Sequence, residues 1–182
     1  MRVVAGTCRG RRLREPENEM IRPTTDRVKE ALFSIIQFSI PGAAVLDMFG
    51  GTGQLAIEAL SRGAEKAVIV DASPDAVKLI RQNLKTCGLE DKADVVNADS
   101  TMYIKNGAKY DLVFLDPPYD TELLEKALKS AIEIDILKDN GIIICETRAE
   151  KVLPDLPLPY RKGKEYRYGK IKLTVYVKSV PA

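Results

Sequence analysis

The chain has 182 residues, with 28 Lys and Arg against 26 Asp and Glu, three Cys, and neither His nor Trp. That length suits one domain with a real core, and 45% hydrophobic with 30% charged residues excludes disordered and fibrous classes. Without histidine there is no Ser-His-Asp or Cys-His catalysis and no zinc site of the His type. Residues 1–14 carry five Arg and no acid, and residues 161–172 carry six Lys and Arg against Glu165 alone, so each stretch holds +5. The rest of the chain holds 17 basic and 25 acidic residues. Two basic ends interleaved with Gly or Tyr point to a polyanion, with nucleic acid the leading choice.

In chain order, Arg2–Ala5 and Gly10–Arg14 read as two short strands around a turn. From Asp26 the apolar positions Val28, Ala31, Leu32, Ile35 and Ile36 follow helical spacing, which Pro41-Gly42 ends. A regular alternation follows. Ala43–Asp47 is an apolar strand, and a helix runs from the glycines to Gly63. Ala67–Asp71 is the second strand, and Ser73-Pro74 caps a helix ending near Gly88. Asp94–Ala98 and Tyr110–Asp116 are the third and fourth strands. A helix runs from Asp120 to about Asp135, and Asn140-Gly141 turns into a fifth strand, Ile142–Glu146. Near-continuous Val, Ile, Leu and Ala runs predict a parallel sheet covered on both faces. Pro154, Pro157 and Pro159 then mark a loop, and Tyr160–Val177 reads as a hairpin turning at Tyr168-Gly169.

The N-terminus alternates Arg with Gly, so no signal peptide is expected, and no apolar run approaches the roughly 20 residues of a membrane span. Cys8, Cys87 and Cys145 lie far apart without CxxC spacing, which predicts no metal site, no disulfide framework and a reducing, cytoplasmic setting. Cys87 and Cys145 read as small core residues.

In doubly wound sheets ligands bind at the carboxyl ends of the strands. The first strand ends in Asp47-Met48-Phe49-Gly50-Gly51-Thr52-Gly53. Glycines there let backbone amides approach a ligand. Gly51, Gly53 and Ala56, with Asp71 further on, also satisfy a dinucleotide pattern, which by itself supports NAD equally well. Asp47, Asp71, Asp99 and Asp116 fall at the expected ends of four successive strands. Four acids around one cleft would repel a pyrophosphate and suit a cationic cofactor, S-adenosylmethionine (SAM), with S-adenosylhomocysteine as product. The fourth strand runs into Asp116-Pro117-Pro118-Tyr119. The prolines fix φ and remove two donors, which makes the loop rigid. A carboxylate and a carbonyl gripping an exocyclic amine would localise its lone pair, while the Tyr ring stacks on a base taken out of its stack.

These residues make the chain resemble the class I SAM-dependent methyltransferases and, most closely, the RsmD family, which methylates a guanine N2 amine in small-subunit 16S ribosomal RNA. The resemblance rests on Arg2-Val3-Val4-Ala5-Gly6 with Arg9-Gly10-Arg11-Arg12-Leu13, on Arg22 to Phe33, on the Asp47–Gly53 loop and on the Asp116–Tyr119 tetrapeptide. It implies a Rossmann-like α/β fold in one domain, a seven-stranded, mostly parallel sheet with an antiparallel last strand and a basic N-terminal hairpin extension over residues 1–25. It implies that Asp47, Gly50, Gly51, Thr52 and Gly53 hold the methionine end of SAM. Asp71, with Ala72 beside it, would take the ribose, and Asp99 and Ser100 would line the adenine. Asp116, Pro117, Pro118 and Tyr119 would form the catalytic tetrapeptide. Arg9, Arg11, Arg12, Arg22 and Thr24 would meet RNA within small-subunit particles. A monomer is the default expectation, because a large folded RNA must reach the cleft. Gly50, Thr52 and Asp71 depart from residues frequent in that family, conservatively in size or charge. DNA adenine or a protein glutamine amide remains an alternative acceptor, and an NAD(P)-dependent oxidoreductase or a non-catalytic RNA-binding module an alternative class.

Overall fold

Strands and helices alternate as the apolar runs require over residues 1–16, 25–103, 107–119 and 121–180, which the computed structural model describes. In chain order they are α1 (Asp26–Ile35), β1 (Ala44–Asp47), α2 (Gln54–Ser61), β2 (Lys66–Asp71), α3 (Pro74–Cys87), β3 (Ala93–Asn97), α4 (Ser100–Tyr103), β4 (Tyr110–Leu115), α5 (Leu123–Glu133), β5 (Leu137–Arg148), β6 (Tyr160–Tyr168) and β7 (Ile171–Lys178). The helix ends follow local chemistry. The Thr25 and Ser73 side chains accept from Val28 N and Ala76 N to cap α1 and α3, and Gly88 closes α3 in the left-handed conformation.

The seven strands form one sheet in the order β3-β2-β1-β4-β5-β7-β6. β1 to β5 are parallel, and β7 runs antiparallel between β5 and β6. β1 is buried at all four residues, because it has strands on both edges and helices on both faces. Successive side chains alternate between two apolar layers. Val45, Leu112, Phe114 and Ile144 join the layer of α1, α2 and α3, while Leu46, Val113, Leu115 and Cys145 join that of α5. Cys8, Cys87 and Cys145 are buried free thiols.

Three expectations need correction. The N-terminal arm is not a pair of strands. Val3 N donates to Arg11 O (2.9 Å) and Gly10 N to Val3 O (2.8 Å), but only Arg2 and Arg12 form a bridge. Three of its amides go to α2 side chains instead: Val4 N and Ala5 N donate to the Glu58 carboxylate (2.8 and 2.9 Å), and Cys8 N to Ser61 Oγ (2.9 Å). Groups committed to a helix cannot build a ladder. Secondly, Asn140-Gly141 does not precede the fifth strand but interrupts it. Tyr110 already pairs with Leu137, and the register shifts before Leu112 meets Ile142, with Asn140 at φ 61° absorbing the bulge. Thirdly, α5 starts at Leu123, and the expected start at Asp120 lies outside the described residues.

The arm is held by a buried polar cluster. The Lys29 ammonium and Glu58 carboxylate, both side chains 0% exposed, lie 3.6 Å apart, and Lys29 Nζ donates to Arg2 O. Removing one partner of such a pair costs about 3–5 kcal/mol.

Candidate active site

The sheet order reverses between β1 and β4, so the crevice at their carboxyl ends is where the fold exposes a ligand site. On one side of it lies the loop after β1. Gly50 N donates to Val70 O (2.8 Å) and Gly53 N to Gly50 O (2.7 Å), folding the loop tightly onto β2. Gly53, at φ 79°, starts α2, a conformation that side chains resist. A Cβ on Gly50 would stand 2.6 Å from Ile69 Cγ2 and 2.8 Å from Ile80 Cδ1, so the backbone approaches there only because the side chain is missing.

Asp47 is 1% exposed, and its Oδ2 is buried without a hydrogen-bond partner. Burial pushes this carboxyl up from the usual carboxylate range to about 7, and the nearby Asp71 charge adds to the rise. A buried acceptor of this kind suits a cationic donor and opposes a second anion. Asp71 accepts from Gly51 N and Ser73 N (both 2.8 Å), so it braces the glycine loop as well as facing the crevice tip.

The structure places the remaining cradle residues less simply than their expected roles. Ala72 is exposed, and Asn97 Nδ2 donates to both Asp71 O and Ala72 O (3.0 Å each). Asp99 lies two residues past β3, exposed, where it accepts from Thr101 N (2.8 Å) and Thr101 Oγ1 (2.7 Å) to start α4. Those bonds hold its carboxyl below the usual range. Ser100 is buried and donates its hydroxyl to Met48 O, tying α4 to the glycine loop. Thr52 is buried as well, and its carbonyl accepts from Asn83 Nδ2 (2.9 Å). Asn97 and Asn83 carry no motif; their positions in a sheet tip and in a helix face become informative only once the chain has folded.

On the other side of the crevice is the tetrapeptide after β4. Pro117 is buried, Asp116 and Tyr119 are half-buried, and Pro118 is exposed. The Tyr119 hydroxyl donates to Glu146 Oε1 (2.7 Å), and the Arg148 guanidinium carbon lies 5.4 Å from the ring centroid. Burial raises the Tyr119 hydroxyl well above its usual range, with the Glu146 and Asp116 charges acting in the same direction. Glu146 stands one step beyond the Leu115–Cys145 pair, so β5 brings it beside Asp116. Pro117, Tyr119, Leu124, Glu146, Thr147 and Arg148 belong to the walls of a cavity of about 160 Å³. Thr147 Oγ1 is buried and has no hydrogen-bond partner. Glu146, Thr147 and Arg148 were hidden in the sequence inside what reads as a strand end and the loop after it.

The basic residues are distributed over two surfaces. Arg9, Arg11 and Arg12 are exposed on the arm, where Arg11 also donates to Thr86 O at the end of α3 (2.8 Å). Arg22 and Thr24 lie outside the described residues. On the hairpin, Arg161, Lys164, Arg167 and Lys170 are exposed, whereas Lys172 is buried against Glu165 (3.2 Å). Asn83 joins the arm to the cradle: it accepts from Arg14 N (2.7 Å) while donating to Arg14 O (3.1 Å) and Thr52 O. Among the described residues no helix is long and apolar enough to cross a membrane.

Comparisons with known proteins bear on the family and the fold. A family model described as conserved hypothetical protein 95 matches residues 1–177. The ribosomal RNA small subunit methyltransferase D of Haemophilus influenzae is 39% identical over 158 residues, covering 84% of this chain and 81% of the relative. Its Escherichia coli namesake is 33% identical over 177 residues, covering 97% and 89%. A solved structure titled putative methyltransferase yhhF from Escherichia coli superposes with a TM-score of 0.89 at 30% identity, covering 100% of this chain and 99% of that one.

Proposed function

The chain belongs to the conserved hypothetical protein 95 family, and from that premise we propose that it is a small-subunit ribosomal RNA methyltransferase that uses SAM to methylate the N2 amine of a guanine. The observation that carries this reading is the juxtaposition, at the tips of the paired strands β1 and β4, of a buried carboxyl with one unpartnered oxygen and the rigid Asp116-Pro117-Pro118-Tyr119 loop. The orphaned Asp47 oxygen fits the ammonium of SAM, and Gly50 and Gly53 let the loop beside it pack tightly against Ile69 and Ile80. Asp71, already fixed by two amides, keeps acceptor capacity for ribose hydroxyls. When bound there, SAM supplies a methyl group made electrophilic by its sulfonium.

The tetrapeptide would do the rest by positioning. The Asp116 carboxylate and the Pro117 carbonyl would accept the two amine hydrogens, turning the nitrogen lone pair away from the ring and toward the cradle. Asp116 need not be a strong base, because the amine loses its proton after transfer. Tyr119 would stack on the base, with its ring held by Glu146 at the hydroxyl and Arg148 against one face. The exposed Arg9 and Arg12 and the exposed hairpin cations would meet RNA phosphates, which requires binding to weaken steeply with salt.

The test is transfer of labelled methyl from SAM to small ribosomal subunits lacking the modification, followed by digestion to nucleosides. Label in N2-methylguanosine is expected. Label absent, or confined to another nucleoside, overturns the reading.

A further inference from the structure

Thr52 lies within the glycine loop and is 3% exposed, yet its carbonyl and its hydroxyl both go to groups that hold the N-terminal arm. The carbonyl accepts from Asn83 Nδ2 (2.9 Å), and the hydroxyl donates to Met1 Sδ (3.4 Å). Both partners grip the outer limb of the arm, residues 10–14, on which Arg11, Arg12 and Arg14 are exposed. Met1 O accepts from Leu13 N (3.1 Å). Asn83 takes Arg14 at both ends, accepting from its N–H (2.7 Å) and donating to its carbonyl (3.1 Å).

The limb's other main-chain bonds stay inside the arm: Gly10 N donates to Val3 O, Arg11 N to Cys8 O, and Val3 N to Arg11 O. Among the described residues, Asn83 is therefore the link between the limb's main chain and the body of the domain. It is 0% exposed, and both of its amide hydrogens are in use. Turning the amide over would set its NH2 against Arg14 N–H and its oxygen against two carbonyls, so the network allows one orientation. The limb and the Thr52 carbonyl are thereby fixed relative to each other.

Resting on the methyltransferase reading above, we infer that Asn83 is a positioning residue through which RNA on the arm and cofactor in the cradle bind cooperatively. Lifting the limb takes Arg14 N and O away from Asn83 and leaves its amide with one bond, to Thr52, that no longer has a fixed direction. Phosphates held by the limb's arginines favour the seated limb. A cofactor lying on the loop favours the Thr52 carbonyl in place. Each ligand thus favours the arrangement the other needs, and linkage makes the two effects equal.

S-adenosylhomocysteine is the probe, because it fills the cradle without turnover and, lacking the sulfonium, adds no net charge that would attract RNA. At saturation it should tighten wild-type binding to small ribosomal subunits lacking the modification by about fivefold or more, and saturating subunits should tighten its own binding equally. In Asn83→Ala both ratios should fall to within about twofold of one, at a temperature where the variant is as fully folded as wild type. Global loosening would weaken both affinities but leave their ratio intact. A wild-type ratio near one overturns the inference, and so does an Asn83→Ala protein that keeps the wild-type ratio. If the variant does not fold, wild type decides alone. Exchange of the Arg14 amide hydrogen, followed by NMR, should slow severalfold on adding S-adenosylhomocysteine, and an unchanged rate overturns the inference. Failure of the proposed function reads differently: wild type then binds no S-adenosylhomocysteine, or leaves guanine N2 unmethylated.

Discussion

The two halves of the crevice are built from different materials. On the β1–β2 side the walls are main-chain amides and acids: Gly50 and Gly53 bring the backbone close, Asp71 takes two amides, and Asp47 keeps one oxygen without a partner. On the β4–β5 side the walls are side chains of mixed charge, with Tyr119 between Glu146 and Arg148. A backbone cradle has one shape and suits a ligand that never varies. Side chains can be exchanged without disturbing a sheet and suit an acceptor that must be told from its analogues. On this reading substitutions should separate cleanly, with cradle changes moving cofactor affinity and loop changes moving the transfer step.

Asp116→Ala gives the largest separation. Losing one of two acceptors on the amine should lower kcat by about 10³-fold, ~4 kcal/mol, while the SAM dissociation constant measured by calorimetry stays within about twofold. A parallel loss of SAM affinity would merge the two halves. Gly50→Ala is the converse. Its new methyl meets Ile69 and Ile80 at 2.6 and 2.8 Å, and overpacking of this sort costs about 1–3 kcal/mol. SAM affinity should drop by about tenfold or more and melting temperature should fall, with kcat at saturating SAM little changed. Unaltered SAM binding would show that the loop is not the cradle.

The third test lies wholly in the acceptor half. Tyr119→Ala removes a stacking face worth about 1–3 kcal/mol per base and should raise the RNA KM by tenfold to hundredfold. Tyr119→Phe keeps the face and loses one hydrogen bond, about 1 kcal/mol. Equal effects of the two changes in a steady-state titration of subunits would remove stacking from the account.

The same contrast explains which parts were legible in the sequence. The succession of β1 to β5 along the chain, the glycine loop and the Asp-Pro-Pro-Tyr tetrapeptide could be read because backbone demands restrict residue type: glycine where the chain approaches β2, proline where a loop must be rigid. Asp47 and Asp71 could be read as strand-end acids, whereas Asp99 was displaced two residues into a helix start by its bonds to Thr101. Glu146, Thr147 and Asn97 were not legible, since a polar residue at the end of an apolar run is equally at home in a solvated turn, and Asn83 was not, since a polar residue within a helix is equally at home on its solvated face. The N-terminal arm misled for a related reason. Its alternation resembles a hairpin, but its amides pair with Glu58 and Ser61, more than 50 positions away, and nothing local announces that.

The smallest expected effect concerns Asp47 and tests the cradle by pH alone. Burial raises its carboxyl from 3.8 to about 7, so the free protein holds a proton there at pH 6 that the unfolded chain has released. This group's contribution therefore favours the folded state at low pH and is lost as pH rises from about 4 to about 7. A cation beside Asp47 favours the ionised form, so binding must expel that proton. SAM affinity should rise roughly fivefold between pH 6 and 7 and level off above, while Asp47→Asn should bind more weakly with a flat profile over the same window. Calorimetry in buffers of different ionisation enthalpy would count the proton directly. If wild type releases none on binding SAM, or if the Asn variant keeps the slope, the ammonium is held elsewhere. The unpartnered oxygen of Asp47 would then need another explanation, and the division between a backbone cradle and a side-chain pocket would lose its cofactor half.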